Sequence, residues 1–173
     1  VNTVVVVRAE LGLGENMVAL VLASFGAGSM LAALILPRLL SHTSDRQVMS
    51  AGALMALAAL ALLAVHIQLF DLSLPPLLIA WAVIGIGYSA ILTPSGRLLR
   101  RSALAEDRPA VFAAQFTLSH GCWLVTYPLS GWLLSTYGTI TALWGLTAVG
   151  VSGVLFAWQQ WPAQDHFNTP KGG

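Results

Sequence analysis

The sequence predicts an all-α, polytopic membrane protein with five full transmembrane helices plus the end of a sixth. Three observations predict it. The 173 residues are 57% hydrophobic and only 9% charged, with a mean hydropathy of +0.78, whereas a soluble domain averages about 25% charged residues. Apolar runs long enough to cross the roughly 30 Å hydrocarbon core recur along the chain. If those runs alternate in direction, seven of the eight Lys and Arg residues fall on one side.

The first element is partial. Residues 1–7, VNTVVVV, are apolar but short, and they lack the basic start and cleavage site of a signal peptide. They read as a cut through a longer hydrophobic segment, so the chain is expected to be a fragment.

The second element, about 16–40, contains ASFGAGSMLAA, in which Ser24, Gly28 and Ala32 recur every fourth residue. That spacing makes one small-residue stripe, where a neighbouring helix can approach closely. The third, about 48–67, has no polar side chain in its middle, as expected of a helix facing lipid. The fourth, about 76–95, contains WAVIGIGYSAILTPSG. Gly85 and Gly87 weaken its helix and Pro94 removes a backbone donor, so it is a candidate bending element. Trp81 and Tyr88 are seven residues apart and share a face. Freed backbone groups at membrane depth need protein or a watery cavity, which makes this helix a candidate cavity wall.

The fifth element, about 110–136, carries polar groups in a lipid-length run. On a helical wheel, Gln115, Ser119, His120, Cys122, Trp123, Thr126 and Tyr127 fall within one arc of about 160°. Leu118, Val125, Leu129 and Trp132 take the other side. Two readings follow: a wall of a water-filled substrate path, or hydrogen bonding between helices. The sixth element, about 138–161, follows almost without a loop at Tyr137–Gly138. Residues 1–161 thus form the bundle, and 162–173 read as a polar tail.

Lys and Arg favour the cytoplasmic side. Arg38 and Arg46, with Asp45, flank the connection after the second element. Arg97, Arg100, Arg101 and Arg108 occupy the connection after the fourth, and Lys171 lies in the tail. The tail and these loops are therefore expected to be cytoplasmic, in a multi-pass protein of a plasma membrane.

Several chemistries are excluded or unsupported. A net charge of +1 gives no electrostatic footprint for nucleic acid, and one cysteine excludes an intrachain disulfide. His120 and Cys122 lie about 200° apart on a helix, so they form neither a nucleophile–base pair nor a two-point metal site. The GIG stretch completes no nucleotide-binding fingerprint. No cofactor, metal site or catalytic set is expected, and the chain is not read as an enzyme. A membrane scaffold and a membrane-embedded enzyme subunit are the alternatives to transport.

The order of these elements resembles the second half of a major facilitator superfamily transporter. The stretch PRLLSHTSDRQVMSAG resembles the family's basic turn, G-x-x-x-D-R-x-G-R. Arg38, Asp45 and Arg46 correspond to it loosely, without the glycine and the final arginine. The stretch TPSGRLLRRSALAEDRPAVFAAQFTLSHGCWLVTYPLSGWL resembles the tenth and eleventh helices of bacterial efflux-type members. The resemblance implies twelve helices in two halves, with alternating access by rocking. It implies a bacterial inner-membrane secondary transporter exporting a small molecule. The absence of an ATP-binding motif points to coupling to an ion gradient, by expectation a proton. The expected partners are the substrate, the coupling proton, the lipid bilayer and a missing N-terminal half.

Overall fold

The computed structural model describes residues 2–161. All its regular elements are helical. A short α1 (Asn2–Val5) runs into a π-helical turn (Val6–Glu10). Four long helices follow: α2 (Glu15–Leu39), α3 (Asp45–Leu69), α4 (Leu74–Ser102) and α5 (Arg108–Gln160). All four are long and apolar enough to cross a membrane.

The local signals at the helix ends are readable. Ser44 caps α3: its Oγ accepts from the Gln47 amide, and Gln47 Oε1 accepts from the Ser44 amide, each at 3.2 Å. That reciprocal pair satisfies two donors that a helix start otherwise leaves open. Prolines open both α4 and α5, where a missing N–H costs nothing.

At 1.5 Å per residue, a straight helix of the length of α5, 53 residues, would reach about 80 Å, far beyond one bilayer. It does not run straight. Gly138 has φ 82° and ψ 176°, a combination open to glycine and strained for other residues. Two contacts show that the chain turns back there. A Cβ on Gly145 would stand 2.7 Å from Leu133 Cδ1, although the two residues would be about 18 Å apart along one helix. Trp161, just past the end of α5, lines the same cavity as Ser102, near its start. The two arms, 108–137 and 139–160, are therefore antiparallel, with Gly138 at the tip.

The core has two parts. One lies around the α1 end of the bundle and joins Val6, Val7, Val21, Leu63, Leu77, Leu134 and Leu143. The other joins Ala32, Leu36, Val48 and Ala90 toward the opposite end. Between them, α4 crosses both α2 and α3 at glycines. A Cβ on Gly28 would meet the Ala82 carbonyl oxygen at 2.0 Å, and one on Gly85 the Phe25 carbonyl oxygen at 2.1 Å. A Cβ on Gly87 would meet the Gly52 carbonyl oxygen at 2.5 Å. At such distances no side chain fits, so dispersion between backbones holds these crossings.

The helices extend beyond the apolar windows of the sequence. Arg97, Arg100 and Arg101 lie in the last turns of α4, Arg38 in the last turn of α2, and Asp45 and Arg46 open α3. Their placement in connecting loops is corrected accordingly. The reason is physical: hydropathy marks where lipid is, whereas a helix continues into the headgroup region as long as its backbone bonds are satisfied. The tail 162–173, with Lys171, lies outside the described residues.

Candidate functional site

The polar arc of 112–132 sits on the first arm of α5. The structure divides it in two. Gln115, Ser119 and Thr126 are half-buried and Ser130 is buried, so this part turns toward the rest of the chain. His120, Cys122, Trp123 and Tyr127 are exposed. So are Leu118, Leu124 and Val125 on the remaining surface.

The exposed part of the arc is an aromatic stripe. Ring centroids of Phe116 and His120 are 3.8 Å apart, those of His120 and Trp123 4.8 Å, and those of Trp123 and Tyr127 6.0 Å, the last pair nearly parallel. Helical spacing of three and four residues produces this ladder. His120 Nδ1 donates to the Phe116 carbonyl oxygen at 2.8 Å. A carbonyl only accepts, so Nδ1 carries the proton in this contact. Cys122 takes no part in this ladder.

The hydroxyls of this arm bond within it. Thr117 donates to the Ala113 carbonyl, Ser119 to that of Phe116 and Thr126 to that of Cys122, each at 2.9 Å. This is the usual way for Ser and Thr to satisfy themselves in an apolar helix. For Ser119 and Thr126, on the half-buried side, the hydroxyl proton thereby stays within the helix.

Helix α4 carries the other candidate residues. Trp81 is half-buried, and its Nε1 donates to Thr3 Oγ1 at 3.1 Å, which ties α4 to α1. Tyr88 is exposed, with its ring 5.6 Å from that of Phe25. Pro94 is fully buried. Gly28, Gly85 and Gly87 are the crossing contacts described above. Trp81 and Tyr88 are thus not brought against the stripe of α5 by any contact among the described residues.

The basic end of the bundle holds a cluster that no single sequence motif announces. Asp45 is 7% exposed, and its carboxylate pairs with Arg97 and, at 3.6 Å, with Arg101. The partners are 52 and 56 residues away along the chain, so only the α3–α4 packing unites them. The signal in the sequence was indirect: an acidic residue in the first turn of a helix, opposite an Arg-rich helix end in an antiparallel pair. At the other end, Thr139 donates to the Glu10 carboxylate, which fastens the π-helical turn to the start of the second arm. Trp158 Nε1 donates to Ser50 Oγ at 3.0 Å, so the polar residue near the end of the plain third element anchors the second arm of α5.

Among the described residues no three His, Cys, Asp or Glu side chains are grouped to hold a metal ion. A family model of the Major Facilitator Superfamily matches residues 1–171. No curated protein and no solved structure matches the chain.

Proposed function

Because the chain belongs to the Major Facilitator Superfamily, a family of secondary transporters, we propose that it forms the C-terminal half of a small-molecule exporter of the bacterial inner membrane. It works there by alternating access with an N-terminal six-helix half. On this reading the two arms of α5 cross the bilayer separately, and the basic end, with the tail, is cytoplasmic. Proton flow supplies the energy. No Asp, Glu, Lys or Arg lies in the middle of a long apolar helix, so the coupling carboxylate belongs to the other half or His120 contributes.

One observation carries the reading: the first arm of α5 presents Gln115, Ser119, His120, Cys122, Trp123, Thr126 and Tyr127 along a helix that is otherwise fit for lipid. Polar groups are disfavoured in hydrocarbon unless they line protein or water. We assign these residues to the wall of the substrate path. Trp81 and Tyr88 contribute from α4, whose Gly85, Gly87 and Pro94 allow it to bend as the halves rock.

The test uses Cys122, the only cysteine in the chain. The chain is produced with its N-terminal half, from which any cysteines have been removed, and treated with a small water-soluble maleimide. Cys122 is expected to react, and bound substrate to slow the reaction, because the thiolate needs water to form. The paired variant Cys122→Ser/Val125→Cys moves the thiol out of the polar arc and is expected to be nearly inert. Equal reaction at both positions, or reaction at 125 alone, removes this wall from the substrate path.

A further inference from the structure

A cavity of about 420 Å³ opens at the basic end, between the α2–α3 connection and the end of α4. Its lining is mixed: it includes Arg97, Arg101 and His42 as well as Leu40, Leu99 and Trp161. We propose that this cavity binds the phosphate of an anionic phospholipid, independently of the transport pathway.

The charge count favours an anion. Among the described residues that line it, two guanidinium groups pair with one carboxylate, that of Asp45. Each guanidinium has five N–H donors, and Asp45 engages only part of that set. Arg97 Nε is buried and has no hydrogen-bond partner among the described residues, a state that ordinarily costs free energy. Arg101 is held at 3.6 Å from Asp45 with its side chain 49% exposed, so it is accessible to a further ligand. A phosphate matches the guanidinium fork in geometry and charge. The hydroxyls at the rim do not compete for it as donors, since Ser41, Thr43 and Ser102 give their protons to backbone carbonyls.

The apolar part of the lining favours a lipid over a free anion. An inorganic phosphate has no use for Leu40, Leu99 and Trp161, whereas the glycerol and upper acyl carbons of a phospholipid do. The position also fits. At 29 residues, α4 is about 44 Å long against a hydrocarbon core of roughly 30 Å, so its last turns stand in the headgroup region. Tryptophan is enriched at that level, and basic pockets between helix ends hold anionic headgroups there.

The experiment is native mass spectrometry of the full chain released from nanodiscs that contain phosphatidylglycerol and phosphatidylcholine in equal amounts with matched acyl chains. The chain is expected to retain phosphatidylglycerol in preference. Arg101→Gln should lower the ratio of the two adducts by about fivefold, and Arg8→Gln, at the opposite end, should leave it unchanged. Ser102→Asp places a negative charge at the cavity wall without touching the Asp45 pairs, and should lower the ratio in the same direction. Circular dichroism checks that each variant remains helical. Millimolar inorganic phosphate should not displace the lipid. Equal retention of the two lipids, or a ratio that neither wall variant moves, overturns the proposal. Displacement by inorganic phosphate also overturns it, because the cavity then recognises the free anion.

Discussion

Gly85→Ala is the smallest change that tests whether backbone contact holds the α2–α4 crossing. The new methyl would stand 2.1 Å from the Phe25 carbonyl oxygen and 3.1 Å from the Ser29 amide nitrogen. Both obstacles are backbone, so no rotamer change relieves them. Ordinary contact begins at 3.4 Å, so the helices must part by about 1.3 Å. A gap near 1 Å forfeits about a quarter to a half of the dispersion at each contact it opens. Overpacking typically costs about 1–3 kcal/mol, and the better helix propensity of alanine returns up to about 1 kcal/mol. The net expectation is a loss of about 1–2 kcal/mol. Gly26→Ala supplies the reference, because nothing lies within 4 Å of a Cβ there. That variant should gain up to about 1 kcal/mol from propensity alone. Unfolding in mixed micelles, followed by loss of helical circular dichroism, measures both. Adding Gly28→Ala to Gly85→Ala should cost less than the two single losses combined, since the first methyl has already opened the shared crossing. Equal stability of Gly85→Ala and Gly26→Ala would refute the reasoning.

Two other predictions address the basic end and the topology. Asp45→Asn removes the charge between Arg97 and Arg101, and should destabilise the chain by about 1–3 kcal/mol, below the figure for a fully buried pair because both arginines are partly exposed; the same micelle unfolding assay reads it, and a loss no larger than that of an exposed charge, such as Glu15→Gln, would show the pair to be incidental. Reporter fusions active only outside the cytoplasm should be silent after Ser102 and after Gly173, given the seven-to-one distribution of Lys and Arg, and activity at either point would reverse the orientation or change the span count.

Much of the architecture was legible because lipid imposes a simple code. Length and apolarity located the long helices, and the stripe Ser24–Gly28–Ala32 marked a close-packed face. What it packs against was not legible, since small residues say that a neighbour is near and not which one. Gly52 shows the limit well. It sits in a segment whose uniform apolarity suggested a lipid-facing surface, yet its backbone touches Gly87. Asp45 shows another: the sequence placed it in a short basic turn, and the arginines that engage it come from a helix placed by tertiary packing. On α5, the wheel separated polar from greasy surface. It could not divide the polar part into a face turned to the chain and an aromatic stripe turned away, because that division depends on where the rest of the bundle lies.

The self-bonded hydroxyls of the first α5 arm have a mechanical consequence. Helices joined by side-chain hydrogen bonds resist sliding, since each step breaks directional contacts before new ones form. Ser119 and Thr126 keep their protons on carbonyls of their own helix, so those bonds travel with the arm. What these two side chains offer a neighbour is mainly short-range dispersion, which varies little as one surface shifts over another by a fraction of a turn. The arm thereby has the character of a bearing: polar enough to tolerate water, smooth enough to move, and joined to its companion at the Gly138 tip and by the Leu133–Gly145 contact beside it.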